Sequence, residues 1–360
     1  MFFATLFLTL IVAAPFTRAD QRTPAPPQAT LAQLSRQAAT ARPFYEGKTI
    51  HLIIPFAPAG TTDIGARIVA KYLGRHIPGN PAVIAQNMPG AGGMIGANHL
   101  YSIAKPDGLT IATISRAHYL EQMIGRPEVR FDFRKFSWIG SFNSALMFLA
   151  CRSDSGFTSL DKIRGATKPA RIGQGSSGSI SFVFSSLVEE ALNFKFHNVM
   201  GYKSGRDTDL GMERGEVDCR ASSDVTTGRA PWREWVEKRF VTFILQQGPK
   251  KSRVLPKEIP TVYELASPDA KPVLNLMDVM LAYTEFAVPF AAPPSTPAEP
   301  LRALRAGFEK MLADPEFGAE AKKLVDWDGS YLTGEQLQAK IDKTVTQPPE
   351  VIKRIKEILQ

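Results

Sequence analysis

Two loops and two arginines are the residues of this chain best suited to chemistry. The first loop reads Pro58, Ala59, Gly60, Thr61, Thr62, Asp63. It follows the apolar run Ile50 to Phe56 and precedes a stretch in which Ile64, Ile68, Val69, Tyr72 and Leu73 recur at helical spacing, with Arg67, Lys71 and Arg75 opposite. Thr61, Thr62 and Asp63 suit the N-cap and first turn of that helix. A helix that starts at the C-terminal end of a strand directs free N–H groups and its positive dipole end outward, an arrangement that favours a carboxylate or a phosphate. An ordinary strand-to-helix turn fits the same residues. The second loop, Gly175, Ser176, Ser177, Gly178, Ser179, stands before the helical pattern Ser179 to Leu192 and offers hydroxyl and backbone donors. Two such helix starts facing one cleft would bind an organic anion.

Arg116 and His118 follow the strand pattern Leu109 to Ser115, at the edge where ligands bind in sheets of this kind. Arg220 interrupts the strand-like Val217 to Ala221. Each arginine reads either as a solvated surface cation or as a cleft cation that grips a carboxylate through two N–H donors. Arg220 is the stronger candidate, because a guanidinium within a strand is hard to solvate unless it reaches a cleft. Asp224, just beyond, joins the candidate set.

Other chemistries fail on spacing. Gly90, Gly92, Gly93 and Gly96 follow a strand and precede a helix, but the dinucleotide fingerprint wants its third glycine at Ile95, and no acidic ribose ligand follows the next strand. These glycines instead allow the helix at Met94 to approach the sheet. A serine nucleophile at Ser177 would need glycine at 179, where Ser179 stands. His51, His76, His99, His118 and His197 are scattered without metal-ligand spacing. No enzyme, cofactor or metal is expected.

The elements that must position the two loops alternate along the chain. Strands near 50–56, 82–86, 109–115 and 137–150 alternate with helices near 62–76, 92–104 and 116–124, which is the signature of a parallel α/β sheet. A second set begins at Ala170 to Gly173 and continues through the helix to Leu192, a strand near 197–201, a helix near 205–214 and a strand at 216–221. The repetition predicts two similar domains, as does a length too great for one core.

Three motifs carry a resemblance: Pro55 to Asp63 (PFAPAGTTD), Asn87 to Asn98 (NMPGAGGMIGAN) and Lys105 to Thr110 (KPDGLT). In this order and spacing, with Gly173 to Ser179, Val199 to Gly205, Gly215 to Asp218 and Ile259 to Glu264 downstream, the chain resembles the periplasmic receptors of tripartite tricarboxylate transporters, the Bug family. Ala59 stands where that family has its first loop glycine, Met88 where it has arginine and Met200 where it has proline, so the resemblance is to a divergent member. It implies a two-domain periplasmic binding protein fold (type II, Venus-flytrap), each domain a parallel-type sheet flanked by helices. The chain would cross between domains twice, giving domain 1 as 44–147 plus 249–360 and domain 2 as 148–248. Val241 to Leu245 would be the returning strand, with Arg302 to Leu324 and Glu335 to Thr344 packed on domain 1. Pro58 to Asp63 would hold one carboxylate through backbone groups and water, while Gly175 to Ser179 and Tyr202 would close over it from domain 2. The implied partners are a small carboxylate and the integral-membrane permease subunits of such a transporter, with the receptor a monomer; the alternatives are a secreted sensor of the same fold and, behind it, a nucleotide-cofactor enzyme.

Compartment and charge fit this. Met1 to Phe16 is apolar but too short to span a bilayer comfortably, and Thr17, Arg18, Ala19 supply a small-x-small cleavage site, so 1–19 reads as a signal peptide for periplasmic export. Residues 20–43, rich in Ala, Pro, Gln and Thr, read as a flexible tether. The net charge of +8 is spread along the chain rather than clustered, which argues against nucleic acid. Cys151 and Cys219, the only cysteines, fall on strand-like segments of the second domain. A disulfide between them and a pair of buried thiols both remain open.

Overall fold

The computed structural model describes residues 42–142, 145–176, 179–223 and 231–359. The segments expected to be a signal peptide and, up to residue 41, a tether, together with Ser177 and Asp224, therefore lie outside the described residues, as does the side chain of Thr61.

In chain order the principal elements are β1 (Thr49–Ile54), α1 (Thr61–Leu73), β2 (Ala82–Asn87), α2 (Met94–Ser102), β3 (Thr110–Thr113), α3 (His118–Ile124), β4 (Ser137–Phe142), β5 (Met147–Arg152), α4 (Leu160–Arg164), β6 (Arg171–Gly173), α5 (Ile180–Leu192) and β7 (His197–Val199). There follow α6 (Gly205–Glu213), β8 (Cys219–Ser223), α7 (Trp232–Glu237), β9 (Val241–Gln246), α8 (Val262–Leu265), α9 (Lys271–Met280), β10 (Val288–Ala292), α10 (Ala298–Leu312), α11 (Pro315–Val325), β11 (Tyr331–Thr333), α12 (Gly334–Val345) and α13 (Pro349–Leu359).

The strands form two sheets, ordered β11-β4-β10-β3-β1-β2 and β7-β6-β8-β5-β9. Both are mixed. β1 pairs in parallel with β2 and β3, and β6 with β7 and β8, whereas β10 runs antiparallel to β3 and β4, and β5 antiparallel to β8 and β9. The apolar run of β1 is explained by its place between two strands, with Ile50, Leu52 and Ile54 fully buried.

Three expectations change. The single strand expected at 137–150 is two, β4 and β5, which belong to different sheets. Val241 to Leu245 does not return to the first sheet: β9 pairs with β5 in the second, and β10 makes the return. The stretch 302–324 is broken by Asp314, whose side chain caps α11, and by Pro315 at that helix's first position. Helix α9 packs against α5, which flanks the second sheet.

Cys151 and Cys219 sit directly opposite each other on β5 and β8 and are joined by a disulfide. At the other glycine-rich turn, a Cβ on Gly96 would lie 2.7 Å from the Pro55 side chain, so α2 lies against the end of β1 only because position 96 has no side chain.

Candidate functional site

The C-terminal ends of β1 and β3 in the first sheet, and of β6 and β8 in the second, open on one cleft of about 990 Å³. Such strand ends are where open α/β sheets place their ligands. The first sheet contributes Phe56, which follows β1, Thr62 in the first turn of α1, and Arg116, which follows β3. The second contributes Gly175, Ser176 and Ser179 before α5, the turn from Gly201 to Gly205 before α6, and Arg220 on β8.

The first loop is held from beneath by Asp63. That carboxylate, 2% exposed, accepts the Ala59 N–H (2.9 Å), Arg67 Nε (3.0 Å) and Asn87 Nδ2 (2.7 Å), and Asn87 also donates to the Phe56 carbonyl at 3.0 Å. Burial raises the Asp63 pKa, but these hydrogen bonds outweigh it and hold the carboxyl below its usual range. Asp63 thus positions the loop and is not itself directed at the cleft. Ala59 has φ +67°, the left-handed region where a Cβ costs roughly 1 kcal/mol and where glycine is the natural occupant. Pro58, Ala59 and Gly60 are exposed and do not line the cleft. A Cβ on Gly60 would meet only the Ala57 carbonyl, at 3.8 Å, so nothing there forbids a side chain.

The two arginines differ sharply. Arg116 is half-buried and its guanidinium carbon lies 5.6 Å from the centre of the Tyr283 ring. Among the described residues it has no hydrogen-bond or ion-pair partner. Burial lowers its pKa, with the Tyr283 and Tyr119 hydroxyls opposing weakly. Arg220, 9% exposed, is instead committed: its Nη1 abuts the buried Asp209 carboxylate, which also accepts Trp232 Nε1 at 3.0 Å, and the Trp232 ring lies beneath at 5.6 Å. Burial pulls the Arg220 pKa down to about 10, which leaves it charged at neutral pH. Arg220 reaches the cleft, as its place in a strand predicts, but it brings its own counter-ion.

His118 does not line the cleft. It is 1% exposed in the first turn of α3, with Nδ1 2.5 Å from Glu121 Oε2 and its ring against Phe131. The Tyr202 ring lines the cleft but packs over Gly211 and Gly173, and its hydroxyl donates to Glu216 at 3.1 Å, so the phenol serves the second sheet's own packing. Ser179 caps α5 by accepting the Phe182 N–H. Sequence reasoning missed Phe56, Tyr283, Thr284 and Asp209. Phe56 was read as part of the strand, Tyr283 and Thr284 lie in a short turn without periodicity, and Asp209 looks like any helical surface acid. Among the described residues, no group of three or more His, Cys, Asp and Glu is arranged to hold a metal.

Two helix-flanked sheets whose strand-end loops face one cleft define a two-lobed solute-binding receptor. The chain belongs to the tripartite tricarboxylate transporter family receptors, whose model matches residues 66–356. It is a receptor rather than an enzyme. A protein of Cupriavidus necator, described as a UPF0065 protein in the gbd 5′ region, is 24% identical over 315 residues, covering 86% of this chain and 88% of that one. A TctC solute-binding protein from Polaromonas, solved without ligand, superposes with a TM-score of 0.68 at 19% identity, covering 87% of this chain and 99% of that one. A Rhodopseudomonas palustris protein solved with adipate superposes with a TM-score of 0.55 at 15% identity, covering 87% and 97%.

Proposed function

We propose that this receptor captures a small organic anion in the cleft between its two sheets and hands it to the integral-membrane permease of a tripartite tricarboxylate-type transporter. The observation that carries the reading is Arg116, a partly desolvated guanidinium without a partner among the described residues, in a cleft of about 990 Å³. A ligand carboxylate would supply the missing charge, and the first turns of α1 and α5 would add N–H and hydroxyl donors from opposite sides. The adipate held by the R. palustris protein of the same fold supports a carboxylate.

The two sheets serve as the cores of two domains that close on the ligand. The packing of α9 on α5 favours moving the second domain boundary from 248 to beyond residue 280. Residues 1–19 direct the chain to the periplasm, where it acts as a monomer on a tether of residues 20–43.

A thermal-shift screen of the purified protein tests this. Small carboxylates at a hundredfold excess over the dissociation constant are expected to add about 2.7 kcal/mol of stability. Shifts caused only by cations, neutral sugars or lipids would overturn the proposal. Mass spectrometry of a denaturing extract would reveal any ligand carried through purification, unreacted and in stoichiometric amount.

A further inference from the structure

Among the described residues two arginines line the cleft, and of these Arg116 alone is without a counter-ion. Arg220 is occupied by Asp209 at the side of the second sheet. Lys203, the other cation on the cleft wall, is exposed at the rim, where water screens it. Arg116 is therefore the one partly buried cation on this wall, among the described residues, that lacks a counter-ion.

Apolar Phe56, Ile114, Ala145 and Val288 line the cleft together with the hydroxyl-bearing Thr62, Ser115 and Thr284. Phe56 and Ile114 stand at the ends of the paired strands β1 and β3, and the Ile114 N–H donates to Pro289 O at 3.0 Å, which brings Val288 beside them. Ala145 donates its N–H to Thr284 O at 2.7 Å, next in sequence to the Tyr283 whose ring faces Arg116. A carboxylate placed on this wall without a cation would lose its hydration with no ionic return, whereas a methylene chain or a ring placed there gains from leaving water.

Taking the anion-receptor reading as given, we infer that the cleft selects a monocarboxylate with an apolar body. Its charge rests on Arg116 and its body on the wall of Phe56, Ile114, Ala145 and Val288, and Asp209 sets the preference by masking Arg220.

Hexanoate and adipate have the same carbon count and differ in whether the far end is a methyl group or a second carboxylate. Calorimetric titration of the purified protein with each is expected to show hexanoate binding at least about tenfold tighter, the scale of one uncompensated carboxylate. Asp209→Asn keeps an acceptor for Trp232 but frees Arg220. It is expected to tighten adipate binding by about tenfold and to move hexanoate by less than about twofold. Because that variant leaves a buried charge unpaired and can fold poorly, the double variant Asp209→Asn/Arg220→Met provides a second check: it should keep the parent preference for hexanoate.

Adipate binding as tightly as hexanoate to the parent protein, or a gain of adipate affinity in the double variant, would overturn this inference and leave the anion-receptor reading standing. Failure of both acids to bind, together with failure of every carboxylate in the thermal screen, would overturn both.

Discussion

At the residue scale, the contrast between Arg116 and Arg220 decides what each does. Arg116→Ala is expected to weaken binding of an identified carboxylate ligand by about 2–5 kcal/mol, because the ligand charge is left without its partner. The melting temperature should hold, since no internal ion pair is broken. Arg220→Ala should instead strand Asp209 in the interior and lower stability by about 3–5 kcal/mol, which urea denaturation would read. An Arg220→Ala protein of parental stability that no longer binds ligand would reverse these assignments. The sequence places Arg116 just beyond a strand and Arg220 within one, and in the structure both line the cleft. It favoured Arg220 because a strand arginine must find something to solvate it; what it finds is Asp209, on a different element, and such a tertiary contact leaves no local pattern. Ala59 was legible in another way. The positive φ found there explains why glycine suits the position, and Asp63 holds the strained turn through the Ala59 N–H.

At the element scale, strands with unbroken apolar runs were read well, and β10 was not. Pro289 lies inside it and Pro293 and Pro294 follow, so the run looks like a loop, because proline rarely enters a strand interior. Its pairing with β4 is irregular between Phe290 and Ala291, where the register shifts, while its pairing with β3 is regular there. Periodicity identifies a strand but not its sheet, and that is why β9 was assigned to the wrong one. The disulfide belongs to this scale, since it ties β5 to β8, the strand that carries Arg220, across a sequence separation of 68 residues. Replacing both cysteines by alanine is expected to cost about 2–4 kcal/mol in urea denaturation through the freer unfolded chain. A double variant as stable as the parent would mean that the sheet pairing alone fixes these strands.

At the scale of the whole molecule, the two lobes are not separated evenly. On the side of α3 and α9 they share one apolar cluster, in which the Tyr119 hydroxyl donates to Val279 O at 2.7 Å, and α13 packs on both helices while Arg354 reaches Glu190 on α5 at 2.9 Å. The fold class was legible because the repeated strand and helix pattern is written along the chain. This joint was not, because it is assembled from segments far apart in sequence. Global stability should also carry a pH signature. Hydrogen bonds from Arg134 lower the Asp132 pKa; for Asp63 and Asp218 burial raises it, but hydrogen bonds, foremost those from Arg67 and Arg171 respectively, bring it below the usual value. A carboxylate with a depressed folded pKa stabilises the protein above its unfolded pKa and loses that contribution as pH falls through the folded one. Asp278, raised mainly by burial, acts in the opposite sense. Chemical denaturation is expected to show stability declining as pH falls below about 4, near the unfolded aspartate pKa. An unchanged midpoint across that range would show that these pairs contribute nothing net.

The guanidinium of Arg116, without a counter-ion among the described residues, also governs what a laboratory measurement will report. A cation of this kind in an open cleft meets every simple anion in the buffer, and chloride, acetate and phosphate all compete for it at the concentrations in which proteins are handled. Each affinity is then the result of an exchange, in which the incoming solute must first displace a salt ion. The apparent dissociation constant rises with the concentration of the displaced ion, so rankings of solutes obtained in different buffers do not share a zero. Titrations over a series of chloride concentrations, extrapolated to none, would recover the intrinsic constant, and the slope would report how strongly the empty receptor holds its substitute.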